Sequence, residues 1–350
     1  MDEVNILFIG DPHIKADNIP ESDLLINDII SKIKNIKPDL CIIGGDLMHY
    51  HEKLYTIPLN KAYEFVKRCS YEVPTYVLVG NHDMINNQQF LTENHWMNGM
   101  KTWKEDVHII DKVKHISLKN HNFMLCPYVY PGRFVEALDT IKEQFNWKDA
   151  NIIFAHQEFK GCKMGAITSI EGDDWNEEFP MVISGHIHNK QKPQKNIFYP
   201  GSSMQQAFGE SENNIIINVK IKNNDIEIEE LELNLPKKKI INIDVSKLDD
   251  FKIKENTPDK IRLTITGDYD EFKTFKKTEK YKELNDKGVK VVFRHKKNKN
   301  IEVKHELKDV VDFSNILNNL VSSSKNVNLV RAYEYIINNK KLKQEDIFFL

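Results

Sequence analysis

Short runs of apolar, β-branched residues recur through the first 235 residues, and amphipathic stretches separate many of them. Strands that alternate with helices in this way are typical of an α/β domain with layered sheets. The predicted strands are 5–9, 40–43, 75–79, 151–154, 181–183, 197–199, 214–219 and 226–233, and the predicted helices are 21–35, 59–69 and 134–145. We therefore expect two sheets flanked by helices.

A proline and three lysines at Pro236–Lys239 predict a domain boundary. Beyond it, strands at 240–245, 260–266 and 289–294 and a charged helix at 269–285 predict a small α+β unit. Two weakly amphipathic stretches follow. The predicted domains are thus 1–235, 236–300 and a helical segment 301–350.

Composition excludes several classes of protein. The chain of 350 residues is 40% hydrophobic and 29% charged, as ordinary globular proteins are. No stretch approaches the ~18–20 uninterrupted apolar residues of a membrane helix, and the first residues are acidic rather than basic. The four cysteines show no metal-finger spacing. We expect a protein with reduced thiols and no membrane association, located in the cytoplasm of a bacterium or a phage-infected host, or in the nucleus of a eukaryotic cell.

Polar loops follow the strands of the first domain. Ligands of open α/β sheets bind at this carboxyl edge, so the loops are expected to meet there. Carboxylate, imidazole and amide groups suit manganese, iron or zinc, and seven such residues give eight contacts when one carboxylate bridges two ions. The candidate ligands are Asp11, His13, Asp46, Asn81, His156, His186 and His188. Two metal ions in such a site can activate a hydroxide to attack a phosphoester.

The ordered run Asp11-x-His13, Gly45-Asp46, Gly80-Asn81-His82-Asp83, His156 and Gly185-His186-x-His188 resembles the calcineurin-like metallophosphoesterase superfamily. Within it, Gly45-Asp46-Leu47-Met48-His49, His156-Gln157 and Pro200-Gly201-Ser202 resemble SbcD-type DNA double-strand-break repair nucleases and the recombination endonuclease subunits of phages.

This resemblance implies a four-layer sandwich of two mixed sheets flanked by helices, with two divalent ions, expected to be Mn²⁺. Asp11, His13 and His188 would hold one ion, Asn81, His156 and His186 the other, and Asp46 would bridge them. Three further residues would be catalytic: His82 as proton donor, Asp83 orienting it, and His49 at the scissile phosphate. His82 would stand outside the metal shell, with a bracing role as the alternative reading.

The resemblance further implies a DNA endo/exonuclease that acts in recombination and repair. Residues 236–300 would be a capping domain and 301–350 the segment that binds an SMC-like ATPase. Lysines of the cap would either contact phosphates or form a solvated face. A homodimer would form through helices of the nuclease domain, at 57–68 and 88–100. The alternatives are a phosphomonoesterase or cyclic-nucleotide phosphodiesterase of the same fold, and a non-catalytic scaffold.

Overall fold

The computed structural model describes residues 3–223, 225–248, 251–252 and 257–295, together with 317, 320–324, 326–328, 330–331 and 333. By its internal contacts the chain forms two units, Met1–His295 and Lys296–Leu350. The strands of the first unit, numbered in chain order, are β1 Val4–Ile9, β2 Leu40–Ile43, β3 Thr75–Leu78, β4 Val107–Ile110, β5 Lys114–Leu118, β6 His121–Cys126, β7 Ile152–His156, β8 Lys163–Met164, β9 Ile167–Thr168, β10 Met181–Gly185, β11 Gln191–Gln194, β12 Ile197–Tyr199, β13 Ile215–Lys222, β14 Asp225–Glu232, β15 Lys238–Asp244, β16 Lys260–Gly267 and β17 Lys290–His295.

Five α-helices accompany the strands in the described residues of the first unit: α1 Ile19–Ile36, α2 Thr56–Ser70, α3 Phe134–Asp139, α4 Tyr269–Phe275 and α5 Glu279–Asp286. Helix α1 starts with Pro20 in its first turn, where no hydrogen-bond donor is needed, and ends at Lys37 in a left-handed conformation just before Pro38. Its buried face recurs at helical spacing through Leu25, Ile29 and Ile33.

Two six-stranded sheets form the body of the first unit. The first sheet has the order β14-β13-β1-β2-β3-β4, and the second has the order β11-β12-β10-β7-β6-β5. Both sheets are mixed, with β1, β2, β3 and β4 parallel and β13 antiparallel to β1. In the second sheet β6, β7, β10 and β12 are parallel.

The two sheets face each other across an apolar core. Phe8 of the first sheet stacks on Phe154 of the second with ring centroids 5.8 Å apart, and both side chains are fully buried. The outer face of the first sheet packs against α1 and α2, and that of the second packs against α3 and Trp175. The chain therefore has the four-layer mixed α/β architecture predicted from its sequence.

A smaller sheet of order β15-β16-β17 is entirely parallel, with α4 and α5 in the connection between β16 and β17. We call residues 238–295 the small α/β unit. Leu263 and Ile265 of its central strand are fully buried against Phe272 and Leu284 of the helices. Residues 296–300 of the predicted cap, and most of the predicted partner-binding segment 301–350, lie outside the described residues.

Several predicted elements differ from the structure. The predicted helix 134–145 ends at Asp139 and continues as turns. The predicted helix 269–285 is two helices, because the Thr278 side chain accepts a hydrogen bond from the Tyr281 N–H and starts α5. Residues 88–95 are not helical, and Trp96–Thr102 forms a 3-10 helix. Strands β4, β5, β6, β8, β9 and β11 were not predicted. No helix of the described residues is long and apolar enough to cross a membrane.

Candidate metal centre

The seven candidate ligands lie at the carboxyl ends of five strands. Asp11 and His13 follow β1, Asp46 follows β2, and Asn81 follows β3, all in the first sheet. The second sheet contributes His156 at the end of β7, and His186 and His188 after β10. The inter-sheet core brings these two edges together, so the centre is built half from each sheet.

One group of donors surrounds His13. Its Nε2 atom lies 2.9 Å from Nε2 of His188 and 3.5 Å from Oδ2 of Asp46. A ring nitrogen of His82 belongs to the same group, within 4.8 Å of the donors of His13 and Asp46. His13 is buried and its pKa lies well below the usual value, mainly because burial disfavours the charged ring. The ring is therefore neutral and offers a lone pair.

The second group surrounds His156. Its Nε2 atom lies 3.4 Å from Oδ2 of Asp46 and 3.0 Å from Oδ1 of Asn81. Nδ1 of His186 is 2.9 Å from the same Asn81 oxygen. The Oδ2 atom of Asp46 is therefore common to both groups, which is the position of the carboxylate predicted to bridge two ions.

These distances fit bound divalent ions. Donors about 2.0–2.1 Å from one ion lie about 3.0–3.4 Å apart at angles of 90–110°, and the distances above agree. The ring orientations also fit, because Nδ1–H of His156 donates to the Gly44 carbonyl at 2.7 Å and leaves the Nε2 lone pair facing Asp46. Nitrogen and oxygen donors in this mixture suit manganese, iron or zinc.

Asp11 joins the two sheets within the centre. Both of its carboxylate oxygens accept hydrogen bonds from the His186 backbone N–H, at 2.9 and 3.1 Å. Its Oδ1 atom also lies 3.4 Å from Nδ1 of His156. The side chain is fully buried, and burial together with the charge of Asp46 raises its pKa.

The carboxyl groups of Asp11 and Asp46 are buried, so their charged forms need positive charge nearby to be stable. Burial alone would raise the pKa of Asp46, but His156, His13 and His82 outweigh it and hold that pKa well below the usual value. Burial alone would likewise lower the pKa of His156, yet Asp46 and Asp11 raise it to about 9. Divalent cations supply the same compensation without a protonated ring.

Backbone strain is concentrated at the ligands. Asp11, His13, Asp46 and His186 all have positive φ, at 26°, 47°, 49° and 80°. Non-glycine residues rarely adopt this conformation, which costs about 1–3 kcal/mol each and persists where the surroundings enforce it. Gly45, which follows β2 and precedes Asp46, has φ 101°. A side chain at this position would place its Cβ 2.5 Å from Nδ1 of His156.

The predicted contact between Asp83 and His82 is absent from the described residues. The 3-10 turn Asn81–Asp83 directs Asp83 inward, where it accepts hydrogen bonds from the backbone N–H groups of Leu47, Met48 and Gly80 at 3.1–3.4 Å and from Nε1 of Trp96 at 3.0 Å. Asp83 therefore braces the Asp46 loop. His82 is oriented instead by the His49 carbonyl, 2.6 Å from its Nδ1 atom.

Two other histidine rings are nearly parallel to His82. The ring of His51 stacks on it at 4.4 Å with an interplanar angle of 19°, and the His49 ring is nearly parallel at 5.8 Å and 16°. Partial burial lowers the pKa of His49 to about 4. His49 and His82 were predicted to act in the site, but His51 was not among the candidate residues. The alternation in His49-Tyr50-His51 is the signal that could have identified it.

Two carboxylates behind the ligands were also missed. Oε2 of Glu158 lies 3.8 Å from Nε2 of His186, and Oε1 of Glu210 lies 3.2 Å from Nδ1 of His188. Glu158 follows His156 by two positions, which is a local signal. Glu210 lies far from His188 in the sequence, and no local pattern marks it.

This fold and this set of ligands are accompanied by a sequence match. The family model for calcineurin-like phosphoesterases matches residues 4–190, which carry all seven candidate ligands. The chain belongs to the calcineurin-like phosphoesterase family and is a hydrolase of phosphoester bonds. The family uses two divalent metal ions, in agreement with the two donor groups described above.

Two viral relatives span most of the chain. "Putative phosphoesterase 244L" of Invertebrate iridescent virus 6 is 49% identical over 79% of this chain and 99% of its own. "Putative phosphoesterase 078R" of Invertebrate iridescent virus 3 is 42% identical over 93% of this chain and 94% of its own. Among solved structures, a dimetal phosphatase from Danio rerio is 10% identical, covering 65% of this chain and 96% of its own with a TM-score of 0.44.

Proposed function

We propose that this chain is a manganese-dependent DNA endo/exonuclease, the nuclease subunit of a recombination and double-strand-break repair complex. The proposal extends the family assignment to one substrate. It rests on the resemblance of residues 45–49 to SbcD-type nucleases and on what surrounds those residues in the fold.

The observation that carries the proposal is an aromatic surface next to the donor groups. The Tyr50 ring contacts the His49 ring at 4.8 Å and the Tyr55 ring at 5.5 Å. The two tyrosines are 45% and 47% exposed. Exposed rings beside a phosphoester site offer stacking surfaces for bases, which a phosphomonoesterase acting on small substrates does not need.

Two lysines add positive charge near His188. The Lys15 ammonium lies 3.5 Å from the Gln206 carbonyl, and that of Lys238 donates to the neighbouring Gln205 carbonyl. Both lysines are therefore held by the chain segment that precedes Glu210. Cations beside this segment, whose Glu210 contacts His188, suit the phosphates that flank the cleaved bond of a nucleic acid.

The roles of the individual residues follow from their positions. The ions would be held by the seven ligands, with Asp46 shared; when bound, they supply an activated nucleophile and neutralise charge on the phosphate. Nδ1–H of His82 donates to the His49 carbonyl, so the opposite nitrogen carries a transferable proton only when the ring is doubly protonated. In that form His82 would donate a proton to the departing sugar oxygen. His49, in ring contact with His13 and Tyr50, would contact the scissile phosphate.

We also propose DNA and an SMC-like ATPase as partners, with a homodimer formed through the nuclease domain. Ile57 at the start of α2 is 65% exposed, and it lies in the predicted 57–68 contact. The exposed lysines Lys273, Lys276 and Lys277 of the small α/β unit are available to contact DNA.

The test compares substrates. An end-labelled linear duplex and nitrophenyl phosphate mono- and diesters are incubated with the purified full chain in Mn²⁺, with and without chelator. We expect cleavage of DNA and the diester, abolished by chelator. His82→Ala should keep both metals and lose most cleavage, whereas Asp46→Ala should lose metal as well. His108→Ala, on the edge strand β4, is the control and should behave as wild type.

Each other outcome has a defined meaning. Monoester turnover without DNA cleavage would contradict the nuclease assignment and favour a phosphomonoesterase. Full DNA cleavage by His82→Ala would contradict the role of His82. Two bound metal ions with no hydrolysis of any substrate, even with the ATPase subunit added, would indicate a scaffold.

A further inference from the structure

A carboxylate lies behind His188, on the side of the ring opposite the donor groups. Nε2 of His188 faces Nε2 of His13, while Nδ1 is 3.2 Å from Oε1 of Glu210. A carboxylate at Nδ1 holds the proton on that nitrogen and leaves the Nε2 lone pair directed at the metal centre. Glu210 therefore determines both the tautomer and the rotation of the ring.

Glu210 is itself held in place. Its other oxygen, Oε2, accepts hydrogen bonds from the backbone N–H groups of Gln206 and Ala207, at 2.6 and 3.1 Å. The Gln205 side chain donates to the Glu210 carbonyl at 3.0 Å. These contacts close residues 205–210 into a compact loop, which we call the 205–210 loop.

The same loop contacts the small α/β unit. Oε1 of Gln205 accepts a hydrogen bond of 2.6 Å from the backbone N–H of Lys238, the first residue of β15. The guanidinium of Arg262 in β16 lies 5.2 Å from the ring centre of Phe208. Residues from two strands of the small sheet therefore touch the loop that carries Glu210.

We propose that Glu210 is a positioning residue for His188 and that the 205–210 loop connects the small α/β unit to the metal centre. Displacement of the small unit then moves Glu210 and changes how firmly His188 holds an ion. The inference rests on the centre binding metal and does not depend on DNA being the substrate.

The test measures Mn²⁺ binding to the full chain by titration calorimetry, with no phosphoester present. Outer carboxylates of this kind change metal affinity by about 10–100-fold. We therefore expect Glu210→Ala to weaken one of two Mn²⁺ sites by about that factor and to leave the other unchanged. Glu210→Gln should recover only part of the affinity, because its amide oxygen can accept from Nδ1–H but its NH2 group then faces the backbone N–H donors of Gln206 and Ala207.

Two further variants locate the effect. Glu212→Ala removes an exposed carboxylate two positions away and should bind both ions as wild type does. Gln205→Ala removes the side-chain links to the Lys238 N–H and to the Glu210 carbonyl, and it should weaken the same site as Glu210→Ala by a smaller factor. Circular dichroism identifies any variant that does not fold, and Gln205→Ala, which is expected to weaken the same site, keeps the test decisive if Glu210→Ala is one of them.

Unchanged Mn²⁺ affinity in folded Glu210→Ala would overturn the positioning role, as would an equal loss in Glu212→Ala. Unchanged affinity in Gln205→Ala would overturn the connection to the small unit. These results are separable from the proposed function. If the wild-type chain binds Mn²⁺ but does not cleave DNA, the proposed function fails and the positioning role of Glu210 stands. If the wild type cleaves DNA but Glu210→Ala binds Mn²⁺ as tightly as wild type, the nuclease assignment stands and the positioning role fails.

Discussion

The three nearly parallel histidine rings at the edge of the centre give His51 a role that can be measured. His51 covers one face of His82 without belonging to either donor group. Ring contacts of this type contribute about 0.5–1.5 kcal/mol, which corresponds to about two- to tenfold in rate.

His51→Ala is therefore expected to lower kcat for diester hydrolysis by about two- to tenfold with little change in KM. His51→Phe keeps a flat ring and should recover most of the rate. The measurement is steady-state kinetics in Mn²⁺ with metal content determined in parallel. A Phe variant as slow as the Ala variant would show that stacking is not what His51 contributes.

A substitution at Gly45 tests whether the close approach of this residue to His156 is needed for metal binding. Gly45→Ala brings both a positive φ and a Cβ contact of 2.5 Å with His156, whereas Gly132→Ala brings a positive φ of 89° into open space. Both variants should lose about 1 kcal/mol of stability from backbone strain. Only Gly45→Ala should also lower Mn²⁺ affinity, measured by calorimetry; equal affinity in the two variants would contradict the tight fit.

For single residues, the sequence predicted which side chains come together but not which hydrogen bonds they make. The ligands could be predicted because each follows a strand, and parallel strands end at one edge. The roles of Asp83 and Glu210 could not be predicted, since they depend on which way a 3-10 turn faces and on a hydrogen bond between distant loops.

Among the elements, the 3-10 helix Trp96–Thr102 depends on one buried ionic cluster. Nδ1 of His95 accepts a hydrogen bond from the Met97 N–H, so Nε2 carries the proton and donates to Asp111 at 3.2 Å. Lys101 also donates to Asp111, at 2.5 Å. Burial raises the pKa of Asp111, but these two partners outweigh it and lower the pKa to about 2.

A carboxyl whose pKa is depressed on folding stabilises the protein above its unfolded pKa, near 3.8, and loses that contribution as the pH falls through about 2. Asp111→Asn should therefore cost about 1–3 kcal/mol of unfolding free energy at pH 7. The difference from wild type should shrink between about pH 4 and pH 2. Urea unfolding of both proteins at pH 7 and pH 3 measures this difference in unfolding free energy. The same difference at both pH values would contradict the lowered pKa of Asp111.

The elements were predicted best where burial follows a regular period. Strand β1 is apolar except at Asn5 and α1 has its buried residues at helical spacing, so both were found within two residues of their ends. Strands β4 and β5 are partly exposed and carry His108 and His115, so their patterns are weak. The break between α4 and α5 depends on the N-cap residue Thr278. The break was not predicted because Thr278 lies within a long charged stretch that is helical in pattern throughout.

For the whole molecule, the metal centre joins the two sheets, so ion binding should stabilise the first unit. An ion that binds only the folded chain contributes about 2.7 kcal/mol at a hundredfold excess over its Kd. Each kcal/mol raises Tm by about 1.5 °C in a unit of about 300 residues, because the unfolding entropy is about 2.1 cal/mol/K per residue. For two ions we expect Mn²⁺ to raise Tm by about 8 °C and chelator to reverse the rise.

Scanning calorimetry of wild type and Asp46→Ala makes this comparison. Because Asp46 is common to both donor groups, its removal should abolish most of the rise in Tm. An Asp46→Ala variant stabilised by Mn²⁺ as strongly as wild type would place the stabilising ion elsewhere.

The order of the strands also bears on how the chain is made. Strand β1 pairs with β2 on one side, but its other neighbour is β13, where Val4 meets Ile221. Roughly 200 residues must leave the ribosome before that partner exists, which takes roughly 10–40 s at typical synthesis rates. Throughout this interval one edge of β1 in the nascent chain is open to other chains. Strand β1 is thus synthesised before β2 but enclosed only after β13, so expression yield should depend on chaperone supply during translation.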